Sequence, residues 1–462
     1  MNHRLLRSRA LMATMFVAIL AVSACGSSDS GDSSRSPKQS TILDADQAKA
    51  EVNEVLGAIP AVSGETTRGI EGRVITIGGT GSATRGGQDT LPGLDVGAKA
   101  RIERANREGG VNGYTFNYVG FEDDHATPNE SLQAVQSLVK SDKVFALVPY
   151  AALAGSSSDY LLKEKVPSFG WLTQDFCTWD KNPYMFSTTG QTNCANPLPG
   201  KAVGVTGPLQ SYIDETGKKP ADVKLAVYGA NDPSSKAGLN GLAAAGEALG
   251  MDVVYAQTDL PSAVEPQLSD YTPIAQKLVS SGANLIVGTT VVPTTLAVLG
   301  ALKGLGYQGD SFAGIPIEAL LQSPQTAAIV DGVYAGVGAT GGIPLLAPEE
   351  FNQVQDDLDA IGSDAPAEGI GTVTGYWAAD LFLQALAAVD GPVTAEKVTN
   401  VLNDGSFQYT GIEGVTCSNT YPVGRVLPSL CAGLLKYDAA GKTLDALTEY
   451  KALGGYAIVD AK

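Results

Sequence analysis

The chain has 462 residues, and its 49 Asp and Glu against 31 Lys and Arg set a formal net charge of −18, which excludes a generic nucleic-acid binder because no dense Lys/Arg cluster offers a basic patch. A hydrophobic content of 44% with 54 glycines fits a turn-rich globular protein of two or three domains better than a disordered or coiled-coil chain. There are two histidines, His3 and His125, so Ser-His-Asp or Cys-His catalysis has almost nothing to recruit and a zinc site lacks its usual ligands.

The chain opens with Arg4, Arg7 and Arg9, an apolar run from Ala10 to Ala24, and Cys25. Such a run, at ~1.5 Å per residue, falls short of the ~30 Å hydrocarbon core, so it reads as a secretory signal over residues 1–24 and not as a spanning helix. The junction Val22-Ser23-Ala24-Cys25 resembles the lipobox of bacterial lipoproteins. That resemblance implies lipidation of Cys25 and an extracytoplasmic body held at the cell membrane by its lipid. Cleavage there removes three arginines and no acid, which makes the remainder still more acidic. Residues 25–43 form a tether: GSSDSGDSSRSPKQS holds seven serines in fifteen residues and no aliphatic side chain to offset the entropy of ordering. Residues 44–72 form a short extension, in which Ala48, Val52, Val55, Leu56 and Ile59 predict an amphipathic helix that ends near Gly57 and docks on the body.

From Arg73 strands alternate with helices. VITIGG, TFNYVGFEDD, VFALVPY and PSFGWL read as strands, and LDVGAKARIERANREGG, SLQAVQSLVKSDK and SSSDYLLKEKV as the helices between them. A second set follows, with strands VKLAVYG, MDVVYAQ, NLIVGTT, SFAGI and VYAGVGAT around helices in GLNGLAAAGEALG, YTPIAQKLVSSG and TTLAVLGALKGLG. Such alternation with short linkers predicts an α/β fold of two halves, each a parallel sheet covered on both faces. The long apolar helix in GIGTVTGYWAADLFLQALAAVDG comes too late to belong inside the second sheet and is expected to return to the first.

The run from Val74 to about Val148, with GGVNGYTFNYVGFEDDHATPNESLQAVQSLVKSDKVFALV at its heart, resembles the type I periplasmic binding proteins of ABC importers, in their leucine/isoleucine/valine-binding branch. There a strand, a glycine-containing ligand loop, a helix ending in Gly-Gly-(Ile/Val)-Asn-Gly and an Asp-Asp turn recur in this order. The resemblance implies two Rossmann-like lobes joined by a three-stranded hinge. Lobe I would comprise residues 73–190 and about 345–408, and lobe II about 191–344 and 409–462. It also implies a small-molecule ligand clamped between the lobes, with a permease and its two cytoplasmic ATPases as partners and no chemistry on the ligand. A monomer without nucleic acid, metal or cofactor is expected. The chain has no Gly-x-x-x-x-Gly-Lys-Ser/Thr loop, and GGTGSATRGG lacks the Gly-x-Gly-x-x-Gly spacing, so neither ATP hydrolysis nor dinucleotide binding is expected.

In open parallel sheets ligands bind beyond the carboxyl ends of the strands, where loop amides and helix N-termini converge. Position alone therefore nominates Ser82, Thr84, Arg85, Tyr150, Ala151, Ala152, Trp171 and Thr173 in the first lobe, and Asp232, Ser234, Thr289, Thr290 and Glu318 in the second. Thr173 and loop amides suit a ligand carboxylate, and Asp232 or Glu318 an ammonium. Arg85 stands where the family often has an aromatic residue; it offers a bidentate carboxylate partner or is a solvated loop residue. Tyr150 and Trp171 either stack on the ligand or belong to the core. Asp232, followed by Pro233, competes as a turn or helix cap, and Asp123-Asp124-His125 reads as a strand-end turn capping the next helix rather than an acid-base pair. The loop PYAALAG lacks the small hydroxyl residues that the family often carries there, which puts α-amino-acid specificity in question.

Beyond Cys25 there are four cysteines, Cys177, Cys194, Cys417 and Cys431, an even count that in an exported protein predicts two disulfides. Local pairing of Cys177 with Cys194 and Cys417 with Cys431 is the simplest of three connectivities. The reading is thus a lipid-anchored binding protein that delivers a small amino-acid-like solute to an ABC importer. A ligand-sensing receptor of the same fold, or a binder of aromatic acids, amides or urea, is the alternative, and a hydrolase built on His125 is a third class.

Overall fold

The computed structural model describes residues 41–460 except positions 58, 61, 86–87, 154, 172–173, 179–180, 191–193, 195–197, 199, 263–264, 315, 339–340 and 368. The signal, Cys25 and nearly all of the tether lie outside the described residues.

The first sheet holds five parallel strands in the order Thr115–Asp123, Val74–Gly81, Ala146–Ala151, Ser168–Gly170, Met185–Ser187, with Ile70–Glu71 antiparallel at the start of Val74–Gly81. Ala146–Ala151 is buried at every position, as a strand covered on both faces must be. The helix Pro128–Lys140 is set by its first residues: the Thr127 hydroxyl accepts from Glu130 N at 3.4 Å, and Pro128 spends its missing amide where no helical bond is lost.

The apolar helix Ile370–Ala387 does return to this sheet, packing on strands Ala146–Ala151 and Ser168–Gly170 and along the helix Leu94–Arg107. Glycines permit the approach of the two helices: a Cβ on Gly375 would stand 2.0 Å from Leu94 O, and one on Gly97 2.1 Å from Thr372 O. One ion pair then fixes the register, Arg101 to Asp380 at 2.8 Å, while Arg107 reaches Asp357 of the neighbouring helix Asn352–Ala360 at 2.8 Å.

The second sheet runs Asp252–Leu260, Lys224–Ala230, Leu285–Thr289, Asp310–Phe312, Tyr334–Val337 in parallel. It then departs from the purely parallel expectation. Cys431–Asp438 adds antiparallel to Tyr334–Val337, and Thr443–Ala446 folds back antiparallel upon it. The reason is connectivity: this strand enters from the other half without a crossover helix, and a tight turn makes the next strand its hairpin partner. Both disulfides pair locally, Cys177 with Cys194 (Cα–Cα 5.6 Å) and Cys417 with Cys431 (5.9 Å).

A third, small sheet unites the ends of the described chain: Ile42–Leu43 and Lys201–Val205 both pair antiparallel with Tyr456–Asp460. The helix Ala45–Leu56 follows, opened by a capping box in which Gln47 N donates to Asp44 Oδ1 at 2.8 Å while Asp44 N donates to Gln47 Oε1 at 3.0 Å. Its buried face, Ala48, Val52 and Leu56, packs with Leu198, Val426, Leu427 and Tyr456.

Candidate functional site

Strand Val74–Gly81 ends in Ser82, which is fully buried. Its hydroxyl donates to Asp124 Oδ1 at 2.6 Å and accepts from Leu153 N at 2.9 Å, so one side chain ties together the loops after three strands. Ala151 and Ala152 are fully buried beside it. Thr84 and Arg85 form one arm of a two-residue hairpin with Gln88–Asp89. The Thr84 hydroxyl donates to Asp123 Oδ2 at 2.7 Å, whereas Arg85 is exposed and its guanidinium, among the described residues, has neither ion pair nor hydrogen bond.

Asp123, Asp124 and His125 make a strand-end turn, with Asp123 Oδ1 accepting from His125 N at 3.0 Å and Asp124 Oδ1 from Ala126 N at 2.9 Å, while His125 and Ala126 sit at φ of 48° and 58°. Thr127, and neither aspartate, caps the following helix. Thr84 Oγ1 approaches His125 Nδ1 at 2.8 Å and Asp123 Oδ2 approaches the same nitrogen at 3.2 Å. On the opposite ring nitrogen Glu130 Oε2 stands 3.9 Å from Nε2, beyond hydrogen-bond reach, and the Thr84 hydroxyl gives its proton to Asp123, so the cluster is not set as a relay.

The two carboxylates are tuned apart. Burial alone would raise Asp123, but the bonds from Thr84 and His125 outweigh it and hold the carboxyl below its ordinary range. For Asp124 burial wins over its hydrogen bonds and the pKa is raised.

Tyr150 is fully buried, its hydroxyl bonded to Asp175, which also accepts from Ser157 N at 2.7 Å. Burial, and then the Asp175 carboxylate, push the phenol well above its ordinary value, so it is a neutral donor. Trp171 is also buried, and its Nε1 donates to Thr374 Oγ1 at 2.8 Å, fastening the loop after Ser168–Gly170 to the returning helix. Both aromatics therefore occupy the core here and do not present a stacking face. Thr173 lies outside the described residues.

At the second sheet Asp232 is the N-cap of Pro233–Leu249, accepting from Ser235 N at 2.9 Å and from the Ser235 hydroxyl at 3.0 Å. Ser234 is half-buried in the first turn. The Thr289 hydroxyl donates to Ser235 O at 2.9 Å, joining two strand-end loops as Ser82 does in the first sheet, and Thr290 pairs with Thr295 at 2.8 Å. Glu318 opens the short 3₁₀ turn Glu318–Leu321, and its side chain lies outside the described part.

The structure thus gathers Ser82, Thr84 and Ala151 at one strand-end edge and Asp232, Ser234 and Thr289 at another. Two open grooves, of about 750 and 570 Å³, lie elsewhere and involve none of the nominated residues. Position-based nomination passed over Asp175, which holds Tyr150, Ser157, whose amide donates to Asp175, and Thr188, buried after the last strand of the first sheet. The serine run Ser156-Ser157-Ser158 was the available signal, displaced beyond PYAALAG. Among the described residues no group of three or more His, Cys, Asp or Glu is arranged to hold a metal, and no helix is long and apolar enough to cross a membrane.

No curated protein matches the chain. Solved structures do, at low identity. The isoleucine complex of a branched-chain amino acid transporter substrate-binding protein from Streptococcus pneumoniae is 16% identical, covering 82% of this chain and 99% of its own, with a TM-score of 0.58. A solute-binding protein from R. palustris in complex with 4-hydroxybenzoate is 19% identical over 82% of this chain and 96% of its own, TM-score 0.55. A fatty acid ABC transporter substrate-binding protein from Thermomonospora curvata is 16% identical over 84% and 95%, TM-score 0.57. These likenesses establish the two-lobed α/β fold, and the family model described as periplasmic binding protein matches residues 74–421. With that match over three-quarters of its length, the chain belongs to the periplasmic binding protein family.

Proposed function

We propose that this protein captures a small carboxylate-bearing solute, amino-acid-like in size, between the strand-end loops of its two sheets and hands it to the permease of an ABC importer without making or breaking a bond. The single observation that carries the reading is Arg85: an exposed guanidinium with no partner among the described residues, on a hairpin at the carboxyl edge of the first sheet. A planar guanidinium matches a carboxylate bidentately. The isoleucine, 4-hydroxybenzoate and fatty acid of the structural relatives are chemically diverse but share a carboxylate, which supports the same choice. Lobe I then spans residues 73–190 with about 345–408 and lobe II the rest of the body, closure follows from ligand contacts made by both, and lipid on Cys25 keeps the body at the membrane.

The test is a thermal-shift panel of branched-chain and aromatic amino acids, aromatic acids, short fatty acids, amides and urea. A carboxylate ligand raises the midpoint in proportion to RT ln(1 + [L]/Kd). Arg85→Gln is expected to weaken that ligand at least tenfold while leaving the ligand-free midpoint in place. A shift produced by amides or urea and unaffected by Arg85→Gln would sink the carboxylate assignment.

A further inference from the structure

The extension before the first lobe does more than join tether to body. Its strand Ile42–Leu43 pairs with Tyr456–Asp460, and that strand, with Lys201–Val205, lies on the helix Pro233–Leu249 that covers the second sheet. The helix Ala45–Leu56 contacts both Tyr456–Asp460 and the 3₁₀ turn Val423–Arg425. That turn, although within the stretch 409–462 assigned to lobe II, packs beside the first sheet. Arg425 is fully buried, its Nη2 donating to Asn182 O at 2.7 Å and its Nε to Met185 O at 3.1 Å beside strand Met185–Ser187.

From Ser63 onward the extension's side-chain hydrogen bonds among the described residues run to the first half. Lys165 Nζ donates to Ser63 O at 3.0 Å, Thr66 N and Oγ1 each donate to the Glu396 carboxylate at 2.7 Å, and Arg68 donates to Val144 O at 3.1 Å and Glu164 O at 2.8 Å. The extension is therefore anchored on the second half at one end and the first half at the other, with a helix of apolar contacts between.

We propose that residues 42–71 are a fourth connection between the lobes, a strap that limits how far the cleft opens in the absence of ligand. This rests on the two-lobe reading above and concerns its regulation. Opening must either carry the helix with one half, stripping Ala48 and Val52 from the other, or stretch a segment pinned at Thr66; both oppose the motion.

The test uses the full chain without ligand. Nitroxides on Asp142→Cys and Gln308→Cys, both exposed and preceding strands of the first and second sheets, report the interlobe distance by double electron–electron resonance. Val52→Asp places an unpaired carboxylate in the strap's buried face and is expected to shift and broaden the distance distribution toward wider openings. Should that variant fold poorly, Asp44→Ala removes only the exposed cap of the helix and is expected to give a smaller shift in the same direction. Faster amide exchange over residues 45–56 with a distribution superimposable on the parent's overturns the strap in either variant. Failure of the two-lobe reading is separate, since it shows in the parent: no panel ligand moves its distance.

Discussion

Asp124 and Glu396 are both buried carboxylates, and they answer to acid in opposite senses. Glu396 accepts two bonds from Thr66 and one from Lys165 at 3.2 Å; burial alone would raise its pKa, but these donors outweigh it and lower it from the ordinary 4.5. Its contribution is present above the unfolded value and lost as pH falls through the lowered one. Glu396→Gln is therefore expected to cost about 1.5–3 kcal/mol in urea unfolding at pH 7, with the gap shrinking in acid. Asp124 is raised above 3.8 by burial, so its carboxyl favours the protonated form in the fold, and the stability it lends is present below the unfolded value and declines as pH climbs through the raised one. Asp124→Asn keeps an oxygen for Ser82 and Ala126 and should be at least as stable as the parent at pH 8. A lower urea midpoint for it at that pH would mean the charge is satisfied after all. Asp232 is simpler: as the cap of Pro233–Leu249 its change to Ala should cost about 1 kcal/mol in the ligand-free chain.

Among the elements, the helix Ile370–Ala387 shows what could be read from the chain and what could not. Its apolar character on every side and its late position announced a buried helix returning to the first sheet, and so it is. What periodicity cannot announce is the polar register: Arg101, Asp380, Tyr409 and Gln384 come from three separate parts of the chain, and Asp380 accepts from Arg101 at 2.8 Å, from Tyr409 at 2.9 Å and from Gln384 at 2.9 Å. Removing Asp380 leaves a mostly buried guanidinium uncompensated, so Asp380→Ala should lose about 3–5 kcal/mol by denaturant titration, while Arg101→Met with Asp380→Leu recovers most of it. Recovery absent from the double variant would show that Asp380 acts mainly through Tyr409 and Gln384. The parallel strands were legible from continuous apolar runs, but the antiparallel pair Cys431–Asp438 and Thr443–Ala446 was not, because a hairpin grafted on a sheet edge has no distinctive composition. At the strand ends, position nominates loops and cannot say which side chains turn inward: Tyr150 and Trp171 are hydrogen-bonded into the core, and only tertiary partners such as Asp175 and Thr374 decide that.

For the molecule as a whole, each disulfide closes a short local loop. Cys417 and Cys431 close a loop of sequence separation 14 that leads into the second sheet's antiparallel edge. Cys417→Ser with Cys431→Ser should lower stability by about 2–4 kcal/mol, read from thermal unfolding under non-reducing conditions. A change below 0.5 kcal/mol would mean that the loop is equally confined in the unfolded chain. The pairing of Ile42 with Ala457 has a consequence for biosynthesis. A nascent polypeptide emerges amino end first, so residue 42 waits through the synthesis and export of more than four hundred others before its sheet neighbour exists. Until then Ala48 and Val52 lack the Tyr456 part of the surface they cover, and a polypeptide truncated short of residue 456 leaves Ile42–Leu43 without its strand partner. Closure of the Ile42–Leu43 pairing is thus a late step of folding, set by how far its partner lies along the chain.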